Sequence, residues 1–186
     1  MGYLEALRAF SPSCEQEERD QSVILNACLQ LGDGVLARNS AAMHLTSSGL
    51  IVNETRDKVL FIHHNIYRVW SWTGGHADGD GDLLRVALRE AREETGLCRV
   101  RPLMEEMLSL DILPVWGHVH RGVYVSAHLH LNAAYLLTAS EADALHCKAD
   151  ENSGVKWFPF SEIERAVKEP VLPDIYMKML RRAGLM

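Results

Sequence analysis

Three glutamates, Glu90, Glu93 and Glu94, stand at positions i, i+3 and i+4 of one short stretch. That spacing puts them on one face if the stretch is helical, and its other residues ask for a helix. Leu83, Leu84, Ala87, Leu88 and Ala91 recur at helical intervals, Asp82 can cap the start, and Gly96 can end it. Like charges so placed repel by roughly 0.2–0.5 kcal/mol per pair. Glu93 and Glu94 also fall in the last turn, where the helix dipole disfavours anions. Two penalties on one patch point to a cation. Hard divalent ions bind through carboxylate oxygens, and Mg²⁺ usually combines one or two carboxylates with substrate phosphates. The competing reading is a solvated acidic face, neutralised by Arg85, Arg89 and Arg92.

The segment before this helix tilts the balance. Gly74 and Gly75 free the backbone to turn tightly, expose a carbonyl or approach a phosphate. Asp78, Asp80 and Asp82 add negative charge that a plain loop does not need. The whole stretch, GGHADGDGDLLRVALREAREETGL, resembles the signature of the Nudix hydrolase family, G-x5-E-x7-R-E-U-x-E-E-x-G-U, where U is a bulky apolar residue. Gly75, Arg89, Glu90, Glu93, Glu94, Gly96 and Leu97 match in register. Ala91 stands where a larger apolar residue is usual, and Gly81 occupies the place of the first glutamate. Asp80 or Asp82 could supply that carboxylate from one residue away.

The resemblance implies an α/β fold, an αβα sandwich around a mixed β-sheet, in a single domain. Residues 1–40 would form an N-terminal helical extension and residues 41–186 the Nudix core. It implies hydrolysis of a diphosphate linkage in a nucleoside diphosphate joined to another moiety, with Mg²⁺ or Mn²⁺ as cofactor. Glu90, Glu93 and Glu94 would hold the metal, with the Gly75 carbonyl as an extra ligand and Arg89 orienting the glutamates. The general base would be Glu93 or a carboxylate of Asp150–Glu151. Two other functions stay open. One is a nucleotide-binding module that has lost catalysis, which the Gly81 departure favours. The other is a diphosphate isomerase of the same fold, which needs a cleft cysteine that the glycine loop lacks.

The composition sets outer bounds. The chain has 186 residues, 47% of them hydrophobic and 24% charged, which suits one globular domain. A net charge of −6 argues against binding nucleic acid or an anionic membrane, both of which need a basic face. No apolar run approaches a membrane span, and the start MGYLEALRAF lacks the pattern of a secretory signal. Cys14, Cys28, Cys98 and Cys147 are scattered, as reduced thiols of a cytoplasmic protein would be.

The positioning elements follow from periodicity. Helices are expected over residues 3–10 and 14–31, the second opened by a Ser13–Gln16 capping box. This segment would pack on the core, form a homodimer contact or shape the substrate entrance. Strands are expected over 42–52, 58–63, 67–72, 98–101 and 107–113. Trp70 and Trp72 share a strand face, and Trp70 could stack on a nucleobase or fill the core. From Val123 to Leu137, Leu129, Leu131, Ala133, Tyr135 and Leu137 face one way, and His128, His130 and Asn132 the other. With His118 and His120 upstream, these histidines could be surface or hydrogen-bonding residues, line the substrate cleft or form an imidazole metal site. A short helix at 141–145, a strand at 155–160, a helix at 161–167 capped by Ser161, and a last helix at 174–183 beyond Pro170 and Pro173 complete the chain.

Overall fold

The computed structural model describes residues 2–120 and 122–186. Its centre is the pair β1 (Met43–Asn53) and β9 (His128–Ala139), which run parallel and in register from Met43 opposite Leu129 to Asn53 opposite Ala139. β2 (Lys58–His64) lies antiparallel to β1, and β10 (Asn152–Pro159) lies antiparallel to β2. The short strands β3 (Trp70–Ser71), β4 (Thr73–His76) and β5 (Arg101–Pro102) and the longer β6 (Ser109–Val115) pair with β2, β1, β9 and β9. One parallel pair among antiparallel ones makes the sheet mixed, as expected. β7 (His118–His120) and β8 (Val123–Val125) form a separate ribbon.

Strand alternation sends side chains to two cores. Leu45, Ile51, Leu131, Ala133, Tyr135 and Leu137 face one helical layer. That layer contains α1 (Tyr3–Ala9), α2 (Glu15–Leu31) and α3 (Leu83–Thr95). Leu50, Val52, Ala134 and Leu136 face the other, made by α4 (Ile163–Ala166) and α5 (Leu172–Arg182). This is the αβα sandwich. In the second core Tyr176 is fully buried, and its hydroxyl accepts from the Trp72 amide at 3.0 Å.

The N-terminal helices pack on the sandwich. Leu7, Ile24 and Cys28 are buried in the first core. Glu17, fully buried, pairs with Lys178 at 3.0 Å and Arg182 at 3.4 Å, tying α2 to α5. The Ser13–Gln16 capping box does not form; Ser13 donates its amide and hydroxyl to Glu17 instead, at 2.7 and 2.8 Å. Glu17 is one residue later and faces the core, whereas Gln16 faces solvent. Other expectations shift for local reasons. Arg68 takes a positive φ of 55°, so the strand at 67–72 shrinks to its last residues. Residues 141–143 turn and 144–145 run irregularly, with no helix, and Ser161 falls within a 3₁₀ turn (Phe160–Glu162) without capping α4. Pro173 sits in the first turn of α5, where its missing N–H costs nothing. Among the described residues no helix is long and apolar enough to cross a membrane, and all four cysteines are free.

Candidate active site

The helix that carries the glutamates is fixed at both ends. Asp82 accepts from the Arg85 amide at 3.1 Å, and Gly96 closes α3 in the left-handed region with φ 74°. Asp80 accepts from the Asp82 amide at 2.9 Å and from the Arg85 guanidinium at 2.6 and 2.9 Å. Both aspartates are thus engaged at the helix start. Beside them Gly81 has room for a side chain: a Cβ there would lie 3.5 Å from the Tyr3 ring.

The glycine loop closes onto α3. Glu94 is 3% exposed, and its carboxylate accepts from the Gly74 amide at 2.8 Å. Burial pushes its pKa well above the usual carboxylate range, against the opposing pull of that amide. Glu90 is also buried, which raises its pKa, while Arg89 pulls the other way from 2.8 Å. A Cβ on Gly75 would fall 2.4 Å from the Glu90 carboxyl carbon, so a larger residue there would displace that carboxylate. Arg89 also donates to the His76 carbonyl at 3.1 Å, and so ties helix to loop.

Glu93 lies towards solvent and pairs with Lys148 at 3.1 Å; Lys148 also pairs with Glu151 at 2.9 Å. Burial disfavours the Lys148 ammonium, but the two carboxylates more than offset this and hold its pKa up. The Asp150–Glu151 loop therefore reaches the glutamate face. Sequence spacing did not single out Lys148, which lies far along the chain in a loop with no motif. Glu90, Glu93 and Glu94 each meet a different partner: Arg89, Lys148 and the Gly74 amide.

The sequence of this region matches the model of the NUDIX domain over residues 43–179. The chain belongs to the Nudix family. Solved Nudix structures share its fold. An Ap4A hydrolase of C. elegans is 14% identical with a TM-score of 0.56, over 76% of this chain and 98% of that one. A NUDIX-family hydrolase from Clostridium perfringens is 22% identical with a TM-score of 0.54, over 74% and 96%. The NUDIX domain of Shewanella oneidensis NrtR, solved with ADP ribose, is 19% identical with a TM-score of 0.52, over 75% and 87%. A comparison with curated proteins finds no match.

Across the sheet from the Nudix glutamates lies a second polar group. His44 and His130 are register partners on β1 and β9, His128 lies two residues before His130, and His76 ends β4. Their rings stand 4.8–5.2 Å apart, centroid to centroid, in each contact between them. Burial, with help from neighbouring cations and imidazoles, holds His76 at about 3 and His130 at about 2, so both rings are neutral at pH 7. Further along the same face, Asn132 accepts from Thr46 at 3.0 Å and Ser48 at 2.8 Å. The expected histidine group is thus corrected in its membership. His118 is half-buried and lies edge-on to Tyr67 at 6.3 Å, outside the cluster, and the His120 side chain lies outside the described residues. His44 and His76 take their places. The missed signal was parity: His44, Thr46 and Ser48 form a polar row in a strand otherwise rich in apolar residues. Trp70 packs edge-on to Phe158 at 5.0 Å and His63 at 5.2 Å, beside Gly154.

Proposed function

We propose that this Nudix protein is a hydrolase dependent on Mg²⁺ or Mn²⁺. It cleaves a diphosphate linkage, in a nucleoside diphosphate joined to another moiety, with water as the nucleophile. The observation that carries the reading is the clasp between loop and helix. Gly74 donates to a buried Glu94, and Gly75 lies against the Glu90 carboxylate, which any added side chain would displace. The donor set is entirely oxygen, which suits a hard divalent ion, and a buried carboxylate such as Glu94 gains from a cation. Glu90, Glu93 and Glu94 would hold that ion, with the Gly75 carbonyl beside them. When bound, it neutralises phosphate oxygens and lowers the pKa of water.

The chain's own groups do the rest. Arg89 holds Glu90 and the loop carbonyl of His76 in one frame. Glu93 or a carboxylate of Asp150–Glu151 takes the proton as the water oxygen bonds to phosphorus and the bridging P–O bond breaks. Gly74 and Gly75 leave their backbone open to the phosphates, whereas His128 and His130, expected to line the substrate cleft, lie on the opposite face of the sheet and take no part in this reading. No cysteine occurs in the loop to support isomerase chemistry. Free, scattered cysteines suit a cytoplasmic setting.

Gly81 favours the second reading, a binding module, since Asp80 and Asp82 are already engaged at the helix start. Product release from nucleotide sugars, ADP-ribose, dinucleoside polyphosphates, nucleoside triphosphates and CoA, with Mg²⁺ or Mn²⁺, separates the two. Turnover in ¹⁸O-water should place the label in a phosphoryl product. Nucleotide binding without turnover on the whole panel supports the module; a covalent phosphoryl- or nucleotidyl-enzyme overturns direct attack by water.

A further inference from the structure

The histidine cluster is separate from the carboxylate site, and the hydrolysis above asks no chemistry of it. Its four rings come from three strands: His44 from β1, His76 from β4, His128 and His130 from β9. Each offers a ring nitrogen, and these four atoms all lie within 4.8 Å of one another. None of them is a carboxylate, so the group is not an extension of the glutamate site.

Two tautomers are set by the backbone. His44 Nδ1 lies 3.1 Å from the Ser40 carbonyl, and His128 Nδ1 lies 2.8 Å from the Ser126 carbonyl. A carbonyl can only accept, so in the neutral ring each Nδ1 carries the proton and each Nε2 is a bare lone pair. His44 is 4% exposed, yet its Nε2 has no hydrogen-bond partner among the described residues. A buried acceptor left so is uncommon and calls for a reason. His128 Nε2 lies 3.2 Å from His130 Nε2, so its lone pair accepts the His130 proton when no ion is bound, and an ion would displace that proton. One nitrogen given to a carbonyl and the other presented bare is how metal-binding histidines are held in orientation.

We propose that His44, His76, His128 and His130 bind one divalent late-transition ion, of which Zn²⁺ is the representative. Imidazole nitrogen suits zinc, nickel, copper and cobalt, whereas Mg²⁺ takes oxygen. At Zn–N distances of about 2.0–2.1 Å, a tetrahedral site needs nitrogens roughly 3.3 Å apart. The His128–His130 pair already meets that spacing at 3.2 Å, and the remaining rings close on it by side-chain rotation. With four protein ligands the site is structural, with no open position for chemistry. It staples the start of the two longest strands to β4. Because His76 directly follows Gly75, the ion would also steady the loop that closes on Glu90.

The test uses the full chain stripped of metal, then titrated with Co²⁺ in a large excess of Mg²⁺. The expected result is one equivalent of Co²⁺ giving the intense visible bands of a four-coordinate nitrogen site, bleached by Zn²⁺. The bands should persist in Glu93→Gln/Glu94→Gln and vanish in His128→Gln/His130→Gln with an unchanged far-ultraviolet circular dichroism spectrum. Absence of the bands in the unaltered chain overturns the proposal, as does their survival in the histidine variant or loss in the glutamate variant. If the histidine variant fails to fold, the unaltered chain and the glutamate variant still decide: no bands, or bands that depend on the glutamates, would sink it.

Discussion

Gly75 and His76 are neighbours in β4, yet they serve two different surfaces. Gly75 lies against Glu90 of α3, and His76 turns to the opposite face of the sheet, among His44 and His130. The strand period of two makes this division automatic. On one side the donors are carboxylate and carbonyl oxygens, suited to a hard ion and phosphates. On the other they are imidazoles, suited to borderline ions. Arg89 spans the two, with one hand on Glu90 and the other on the His76 carbonyl. A sheet one residue thick can thus keep two unlike polar clusters apart while coupling their backbones.

The largest effect expected from breaking this contrast is on the oxygen side. Replacing Glu93 and Glu94 by Gln should lower turnover roughly 10²–10⁴-fold, the scale of a lost general base. It should also abolish the rise in melting temperature that Mg²⁺ gives by mass action. Steady-state rates and melting curves with and without Mg²⁺ check both; an unchanged Mg²⁺ response would remove these residues from the site.

Next in size is Gly75→Ala. The added Cβ would fall 2.4 Å from the Glu90 carboxyl carbon, so the Glu90 carboxylate should swing away from its place. A displacement of about 1 Å near reacting groups can cost about 10²-fold in rate. Turnover should drop by that order, while the Co²⁺ spectrum of the histidine site, one residue on, changes little. Loss of both signals together would mean the two surfaces do not separate as described.

How much of this was legible beforehand differs between the two faces. The glutamate helix, its caps and the glycine pair are local in sequence, so spacing alone placed them; Asp82 and Gly96 perform the roles their types suggested. The histidine cluster is assembled by strand pairing across more than eighty residues, from His44 to His130. Alternation placed His128 and His130 on one face but could not say which strand lies beside them. Nearness in sequence pointed to His118, whereas the parallel pairing of β1 with β9 brings His44. Lys148 was illegible for the same reason, since an ion pair between a loop and a helix leaves no periodic trace.

A smaller effect should come from Asp82. Its carboxylate caps α3, so Asp82→Ala should cost about 0.5–2 kcal/mol of stability and Asp82→Asn much less. Chemical denaturation measures this. If Asp82 instead replaces the missing glutamate, Asp82→Asn should weaken the Mg²⁺ response while leaving stability nearly unchanged.

The smallest effect is expected from Lys148→Met. Its ammonium lies 3.1 Å from Glu93 and 2.9 Å from Glu151, so an incoming Mg²⁺ must compete with it for carboxylate oxygen. The pairs are partly open to solvent, with the Glu93 side chain 47% exposed, and such pairs contribute only about 0.2–1 kcal/mol. Removing the lysine should therefore tighten Mg²⁺ binding by no more than about five-fold, measured from the Mg²⁺ dependence of the melting temperature. The difference should shrink in high salt, because screening weakens exposed pairs first. The histidine side should not respond, since the ion pairs of Lys148 are with Glu93 and Glu151. Weaker Mg²⁺ binding in Lys148→Met would mean that Lys148 organises the carboxylates instead of competing for them, and Glu93 would then be the better candidate for a base held in place than for a metal ligand.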